Sequence, residues 1–270
     1  MEKNEWEKPM QNIAVLGTGT WGTALLRLLA NKGHAVTAWS ALPEEVEALS
    51  AARRHPKLPG MTIPDSAVFT ADIAAACREK DAVIFAVPSP YVRATARAAA
   101  PFVAKDQLIV DVAKGMEAET LMTLTEVIGE EMAKHGKAPR LAALSGPTHA
   151  EEVSRDLPTT IVSASPDARA AAQVQSAFMT DRLRVYTNAD IRGVEVAGAL
   201  KNVIALAAGI ADGLGYGDNT KAALMTRGMS EITRLGMALG GKRETFAGLS
   251  GVGDLIVTCT SMHSCNRRAG

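Results

Sequence analysis

Gly17-Thr-Gly-Thr-Trp-Gly22 stands between the apolar run Ile13 to Leu16 and Thr23 to Ala30, an Ala/Leu-rich stretch of helical period. A GxGxxG segment that leaves a strand and opens a helix restricts the chain sharply. The first glycine permits a tight turn, the second lets a pyrophosphate approach the backbone, and the third lets the helix pack closely on the strand. Amides at the helix N-terminus then face the anion. Glycine-rich turns recur by chance, and an ordinary tight strand-to-helix turn is the bland alternative. The strand-turn-helix context favours a dinucleotide cradle built on Gly17, Gly19 and Gly22.

From Asn12 onward, short β-branched runs alternate with longer stretches of helical period, the pattern of βαβ units around a parallel sheet. Strands are expected at Ile13 to Leu16, Ala35 to Trp39, Ala82 to Val87, Leu108 to Asp111 and Leu141 to Leu144. Thr159 to Ser163 and Leu183 to Tyr186 should extend the same sheet. Helices are expected at Thr20 to Asn31, Pro43 to Ala52, Pro90 to Pro101 and Thr120 to Lys134. After Asp190 the strand signal fades. Gly193 to Gly240 reads as two long helices joined by the turn Asp212-Gly-Leu-Gly-Tyr-Gly-Asp218. A boundary near residue 190 is therefore expected, in keeping with a length of 270 residues, which favours about two domains.

Composition narrows the partners. Lysine plus arginine and aspartate plus glutamate both number 29, so no net charge steers the chain to nucleic acid or an anionic membrane. A small anionic ligand would need a local positive site. Cys77, Cys259 and Cys265 are scattered and odd in number, without a CxxC pair, which argues against a disulfide framework or a zinc site and fits a reducing cytoplasm. No metal is expected. Met1 to Met10 lacks the basic and apolar regions of a signal peptide. The most apolar segment, Val196 to Ile210, falls short of the roughly 20 residues of a bilayer span and carries Lys201 in its middle, so it reads as a buried helix.

Where a dinucleotide site commonly places an acid for the ribose hydroxyls, at the end of the second strand, this chain has Trp39-Ser40-Ala41. No arginine stands beside Ser40, although Arg53 and Arg54 could fold back toward it, so NAD and NADP both stay open as the cofactor. Lys201 is the only charged residue between Glu195 and Asp212. It must either snorkel to water or be held for use. Burial penalises its charged form and would make it an acid-base group near neutral pH. Lys114, in Asp111-Val-Ala-Lys-Gly115, lies just past a strand's carboxyl end, where open α/β sheets bind ligands. Ser145-Gly-Pro-Thr-His149 lies in the same place after the next strand. Gly248-Leu-Ser-Gly-Val-Gly-Asp254 is a glycine-rich approach to an aspartate, and Ser264-Cys-Asn-Arg-Arg268 is read as a polar, basic loop. Taken singly, each has a bland reading: a solvated lysine, a plain turn, a helix cap, a surface arginine pair.

Together these segments resemble the NAD-dependent glycerol-3-phosphate dehydrogenase family. The resemblance runs in consistent order from residue 12 to 270. It is carried by Gly17-Thr-Gly-Thr-Trp-Gly-Thr-Ala24, Ala113-Lys-Gly115, Ser145-Gly-Pro-Thr148, Gly198 to Asn219, Thr226-Arg-Gly228 and Leu249 to Arg268. Ala199 to Gly213 is its most specific stretch. The resemblance implies an α/β fold, a Rossmann-type doubly wound sheet over residues 1–190 followed by an all-α second domain over 191–270. It implies NAD(P)H-dependent, reversible reduction of dihydroxyacetone phosphate to sn-glycerol 3-phosphate, supplying the phospholipid backbone in the cytoplasm. It also implies roles: Lys201 as general acid, Lys114 as a second cation near the ketone oxygen and nicotinamide, and Asp254 as the group orienting lysine and substrate hydroxyls. Gly146, Thr148, Asn202, Ser264 and Asn266 would surround the substrate, with Thr20 and Trp21 against the cofactor and Ala150 near its nicotinamide end. A homodimer is left open.

Two departures accompany the resemblance. The family pattern Ser-Arg-Asn is here Ser264-Cys265-Asn266, and a cysteine cannot supply a bidentate cation to ligand oxygens. Either Arg267 or Arg268 compensates, or anion affinity is reduced. The family's helical domain also continues for several more helices, so an incomplete second domain is expected. A related two-domain hydroxyacid or 6-phosphogluconate-type dehydrogenase, and a non-catalytic NAD(P)-binding sensor on the same fold, are the alternatives. Cofactor binding without turnover would mark the sensor.

Overall fold

The structure, a computed structural model, describes residues 11–270; the Met1 to Met10 stretch lies outside the described residues. The strands are β1 (Asn12–Leu16), β2 (Ala35–Trp39), β3 (Val68–Thr70), β4 (Ala82–Phe85), β5 (Leu108–Asp111), β6 (Arg140–Ser145), β7 (Thr159–Ala164) and β8 (Leu183–Asn188). They form one sheet in the order β3-β2-β1-β4-β5-β6-β7-β8. Neighbours from β3 through β6 are parallel, with Ile13 opposite both Val36 and Ala82. β7 and β8 extend this sheet as expected, but β7 runs antiparallel to β6 and β8 parallel to β7, so the sheet is mixed. β1, β4 and β5 are central and buried on both faces, which is why they read as unbroken apolar runs rather than alternating ones. Two apolar clusters lie on opposite faces of the sheet: Val15, Leu25, Leu29, Ile84 and Val110 in one, Leu16, Phe85, Val92, Ile109 and Ile128 in the other.

The helices flanking the sheet are α1 (Thr20–Asn31), α2 (Pro43–Ala52), α3 (Ile73–Cys77), α4 (Val92–Ala99), α5 (Leu124–Ala133), α6 (Ala150–Val153) and α7 (Ala168–Phe178). α1 and α2 occupy the expected residues. α4 is shorter than Pro90 to Pro101, because 3-10 turns at Ser89–Tyr91 and Ala100–Phe102 take up its ends. α5 begins at Leu124 rather than Thr120. Leu121 adopts φ 59°, and Glu126 accepts from the Thr123 amide at 2.9 Å, a capping arrangement that fixes the start four residues later.

Beyond β8 follow α8 (Ile191–Gly213), α9 (Gly217–Ala238), α10 (Arg243–Phe246), a π-turn at Leu249–Gly253, α11 (Asp254–Thr260) and α12 (Cys265–Ala269). Asp190 caps α8 by accepting from the Gly193 amide at 2.9 Å, and its other oxygen accepts from the Lys242 amide and the Thr245 hydroxyl, both at 2.7 Å. The helix therefore starts before the apolar segment read from the sequence. Its 23 residues are long and apolar enough to cross a membrane by length and composition, a correction to the expected shortfall, yet 56% of its most apolar window is buried inside the protein. Glu195 of α8 ties it to α5, accepting from the Thr125 amide (2.9 Å) and hydroxyl (2.5 Å). Gly198 lets α8 press against the strand tips: a Cβ there would stand 3.2 Å from Ser145 Oγ and 3.7 Å from the Lys114 chain. Lys201, one turn later on the same helical face, is thereby delivered beside Lys114.

Candidate active site

The glycine turn has the shape its sequence requires. Gly17 takes φ +117°, and a side chain on it would meet the Ala86 backbone at 2.7 Å. A side chain on Gly22 would collide with the Gly17 carbonyl. Gly19 differs: no atom of the described residues lies within 4 Å of where its Cβ would point. That open space, at an α1 N-terminus which no side chain among the described residues caps, fits a pyrophosphate approaching the backbone. Gly19, Thr20 and Trp21 form one end of a cleft of about 490 Å³. Val112, Ala113 and Lys114 from the end of β5 also line it, with Thr148 and Ala150 after β6. Lys201, Asn202, Ser264, Cys265 and Asn266 close it from the helical side.

At the back of the cleft Asp254, 1% exposed, holds both lysines. Its Oδ1 accepts from Lys201 Nζ at 2.5 Å and its Oδ2 from Lys114 Nζ at 2.7 Å. Lys114 also donates to the Gly146 carbonyl at 2.9 Å, and Lys201 to Thr258 Oγ1 at 2.6 Å. Thr258 is kept in place by its own donation to the Asp254 carbonyl, one turn back on α11. An ammonium has three donors. Each lysine spends two on these partners and lines the cleft, so each retains one for a ligand. Burial, reinforced by the neighbouring Lys114 charge and opposed by Asp254, pushes Lys201 down to about 7. The lysine can therefore give or take a proton near neutral pH.

Of the residues singled out from the sequence, Thr20, Trp21, Gly19, Lys114, Thr148, Ala150, Lys201, Asn202, Ser264, Cys265 and Asn266 meet in this one cleft. Asn266 donates to Asn202 Oδ1 at 2.8 Å, linking α12 to α8. Gly17 and Gly22 serve packing behind the turn, Gly146 contributes its carbonyl to Lys114, and Asp254 stands behind the lysines. Ser40 lies apart, at the tip of β2. Neither Arg53 nor a bare β2 tip describes that end correctly. Arg53 donates to the Ala67 carbonyl at 2.7 Å and stacks over Phe69, whereas Glu45 from the first turn of α2 folds back onto Ser40.

The segment Ser264 to Arg268 is not a loop but the capped start of α12, Ser264 Oγ accepting from the Arg267 amide at 3.2 Å. Arg267 is unable to compensate for Cys265. Its guanidinium pairs with Asp212 at 2.6 Å, and Lys221 meets the same carboxylate at 2.7 Å. Arg268 is exposed and reaches Cys265 Sγ at 3.3 Å, so it is the arginine left beside the cleft. Sequence reasoning missed Thr258, legible only as the residue one helical turn after Asp254, and His263; His149, which closes the Ser145 to His149 segment, also lines the cleft, the two imidazole centroids lying 5.9 Å apart.

Two family models cover most of the chain: the NAD-dependent glycerol-3-phosphate dehydrogenase N-terminus matches residues 12–171, and the corresponding C-terminus matches 190–270. A glycerol-3-phosphate dehydrogenase (NAD(P)+) 2 of Lactobacillus delbrueckii subsp. bulgaricus is 60% identical over 263 residues, 97% of this chain and 78% of the relative. A glycerol-3-phosphate dehydrogenase (NAD(P)+) of Moorella thermoacetica is 56% identical over 96% of this chain and 76% of its own length. Among solved structures, glycerol-3-phosphate dehydrogenase from Coxiella burnetii superposes with a TM-score of 0.91 at 37% identity, covering 96% of this chain and 78% of that one.

Proposed function

The chain belongs to the NAD-dependent glycerol-3-phosphate dehydrogenase family, and we propose that it reduces dihydroxyacetone phosphate to sn-glycerol 3-phosphate, reversibly, with Lys201 as the proton donor. The observation that carries this reading is the pair of lysines, from the sheet and from α8, anchored on one buried carboxylate at the wall of a cleft that begins at the open Gly19 turn. NAD or NADP is the cofactor, and when bound it supplies the hydride or accepts it.

The chain's own residues account for the rest. Gly19 and the first amides of α1 would hold the pyrophosphate, Thr20 and Trp21 the neighbouring part of the cofactor, and Ala150 would lie at its nicotinamide end. As the ketone carbon is reduced its oxygen becomes an alkoxide. Positive charge already in place in a dry site stabilises that oxygen without reorganisation. Lys114 and Lys201 provide it, and Lys201, poised near neutrality, transfers the proton that completes the alcohol. Asp254 keeps the two cations side by side, fixing both and leaving one donor on each for the ligand. Thr148, Asn202, Ser264, Cys265 and Asn266 would surround the substrate. The division of labour falls near residue 190, with the cofactor held by the sheet portion and the proton donor by the helices. The cytoplasm is the proposed location, in keeping with the three free thiols.

Oxidation of NADH or NADPH followed at 340 nm with dihydroxyacetone phosphate, together with identification of glycerol 3-phosphate, tests the reading. Tight cofactor binding with no turnover would refute it in favour of a sensor.

A further inference from the structure

The cofactor end farthest from the lysines carries a carboxylate that the residue order does not announce. In dinucleotide-binding sheets the second strand ends in an acid that accepts from the ribose hydroxyls next to the adenine. β2 ends instead in Trp39-Ser40. Glu45, in the first turn of α2, fills the place. Its Oε2 accepts from Ser40 Oγ at 2.5 Å and from Thr18 Oγ1 at 2.6 Å. Thr18 is the residue between the first two glycines of the phosphate turn, and it is buried. One carboxylate oxygen is therefore clamped between the tip of β2 and the turn that would hold the pyrophosphate. Among the described residues no donor reaches the other oxygen, Oε1.

The two hydroxyl clamps fix where the charge sits, since a half-buried glutamate on a helix end would otherwise swing through solvent. A carboxylate so placed can accept from a ribose diol. It opposes a 2′-phosphate, because two negative groups without an intervening cation repel and lose their hydration together. The cation nearest in sequence is directed elsewhere: Arg53 is bound to the Ala67 carbonyl and stacked on Phe69. Pro43 opens α2, a position that suits its fixed φ, and Glu45 in the first turn reaches the tip of β2.

We propose that Glu45 acts as the ribose-binding acid of this chain and makes its dinucleotide site select NADH over NADPH. The assignment rests on the cofactor reading above and adds the discrimination to it.

Direct titration of the purified protein with NADH and with NADPH, by nucleotide fluorescence or calorimetry, is the test, and it needs no turnover. The parent should bind NADH more tightly than NADPH by about tenfold or more. Glu45→Gln keeps an acceptor for Ser40 and Thr18 but removes the charge. It should bring the two dissociation constants to within about threefold of each other, chiefly by tightening NADPH. Glu45→Ala should collapse the ratio too, while weakening NADH through loss of the diol acceptor. A role confined to fold stability would change both constants by the same factor and leave the ratio intact, which overturns the assignment. Equal affinities in the parent overturn it as well. If the parent binds neither dinucleotide, the cofactor reading itself is wrong; where the parent binds, Gly19→Val should abolish both affinities alike, which keeps loss of the cradle distinct from loss of the NADH/NADPH ratio at Glu45.

Discussion

Asp254→Asn strips the charge from the group on which both lysines rest and keeps its shape. The carboxylate lies 2.5 Å from Lys201 Nζ and 2.7 Å from Lys114 Nζ, and is itself buried. With charge centres about 4 Å apart and an effective dielectric near 20, its attraction for the Lys201 ammonium is about 4 kcal/mol. At roughly 1.4 kcal/mol per unit, losing it should lower the lysine by about 3 units from its position near 7. Burial and the Lys114 charge, which already push it down, would be left unopposed. Reduction needs the protonated lysine, so in the parent kcat/KM for dihydroxyacetone phosphate should fall as pH rises through about 7, while oxidation of glycerol 3-phosphate, which needs the neutral amine, should rise over the same range. In Asp254→Asn the reductive limb should move to acid by about 3 units, so the rate at neutral pH should drop about 10² to 10³-fold. The assay is NADH oxidation from pH 5 to 9, with NADH titration and circular dichroism confirming that the variant folds and binds cofactor. A folded variant whose reductive limb still turns near 7 would show that the carboxylate does not govern the lysine's proton, and the charge argument would be wrong.

Lys201→Ala should lower turnover about 10² to 10⁴-fold with NADH affinity within about threefold of the parent, because the lysine stands on α8 and the glycine turn on the other side of the cleft; unchanged kcat would exclude it as the acid. Gly19→Val should cost cofactor affinity without loss of thermal stability, since its Cβ points into open space; tight NADH binding by the variant would remove the phosphate cradle. Cys265→Arg should tighten dihydroxyacetone phosphate or the cofactor by roughly one to two decades, a charge-assisted hydrogen bond being worth about 1.5 to 3 kcal/mol, and unaltered affinity for both would place residue 265 outside ligand contact.

The order of strands and helices was legible because burial writes it into the chain. β2, β5, α1 and α2 have the bounds that the sequence pattern gives: α1 starts at the glycine turn and α2 at Pro43, while β2 ends at Trp39 and β5 at Asp111. β3, only Val68–Thr70, was not legible: three half-exposed residues at the sheet edge carry too short a pattern to stand out from a loop. The reversal of β7 was equally hidden. A strand's residue types record which faces are buried and leave its direction unwritten, and β7 has the same run of buried residues as β6, to which it runs antiparallel.

The site divides along a similar line. Lys201 was visible because an isolated charge on an apolar helix has few explanations, and Lys114 because sheet topology places strand tips at the ligand side. Neither argument could join the lysines through Asp254, which stands 140 positions from Lys114 in the chain and needs Gly198 to bring α8 onto the tips of β5 and β6. Glu45 and Arg267 show the same limit from opposite directions. Read by position, Ser40 leaves the ribose end without an acid, and Arg267 offers a cation beside Cys265. In the fold, Glu45 reaches back five residues to supply the acid, and Arg267 is consumed by Asp212 at the end of α8. What a charged residue can do for a ligand depends on whether another charge already holds it, and that competition is decided by tertiary contacts. Arg268, exposed and 3.3 Å from the Cys265 sulfur, is the cation that this competition leaves over, so the consequence of the cysteine turns on the one arginine of the pair that meets no carboxylate among the described residues.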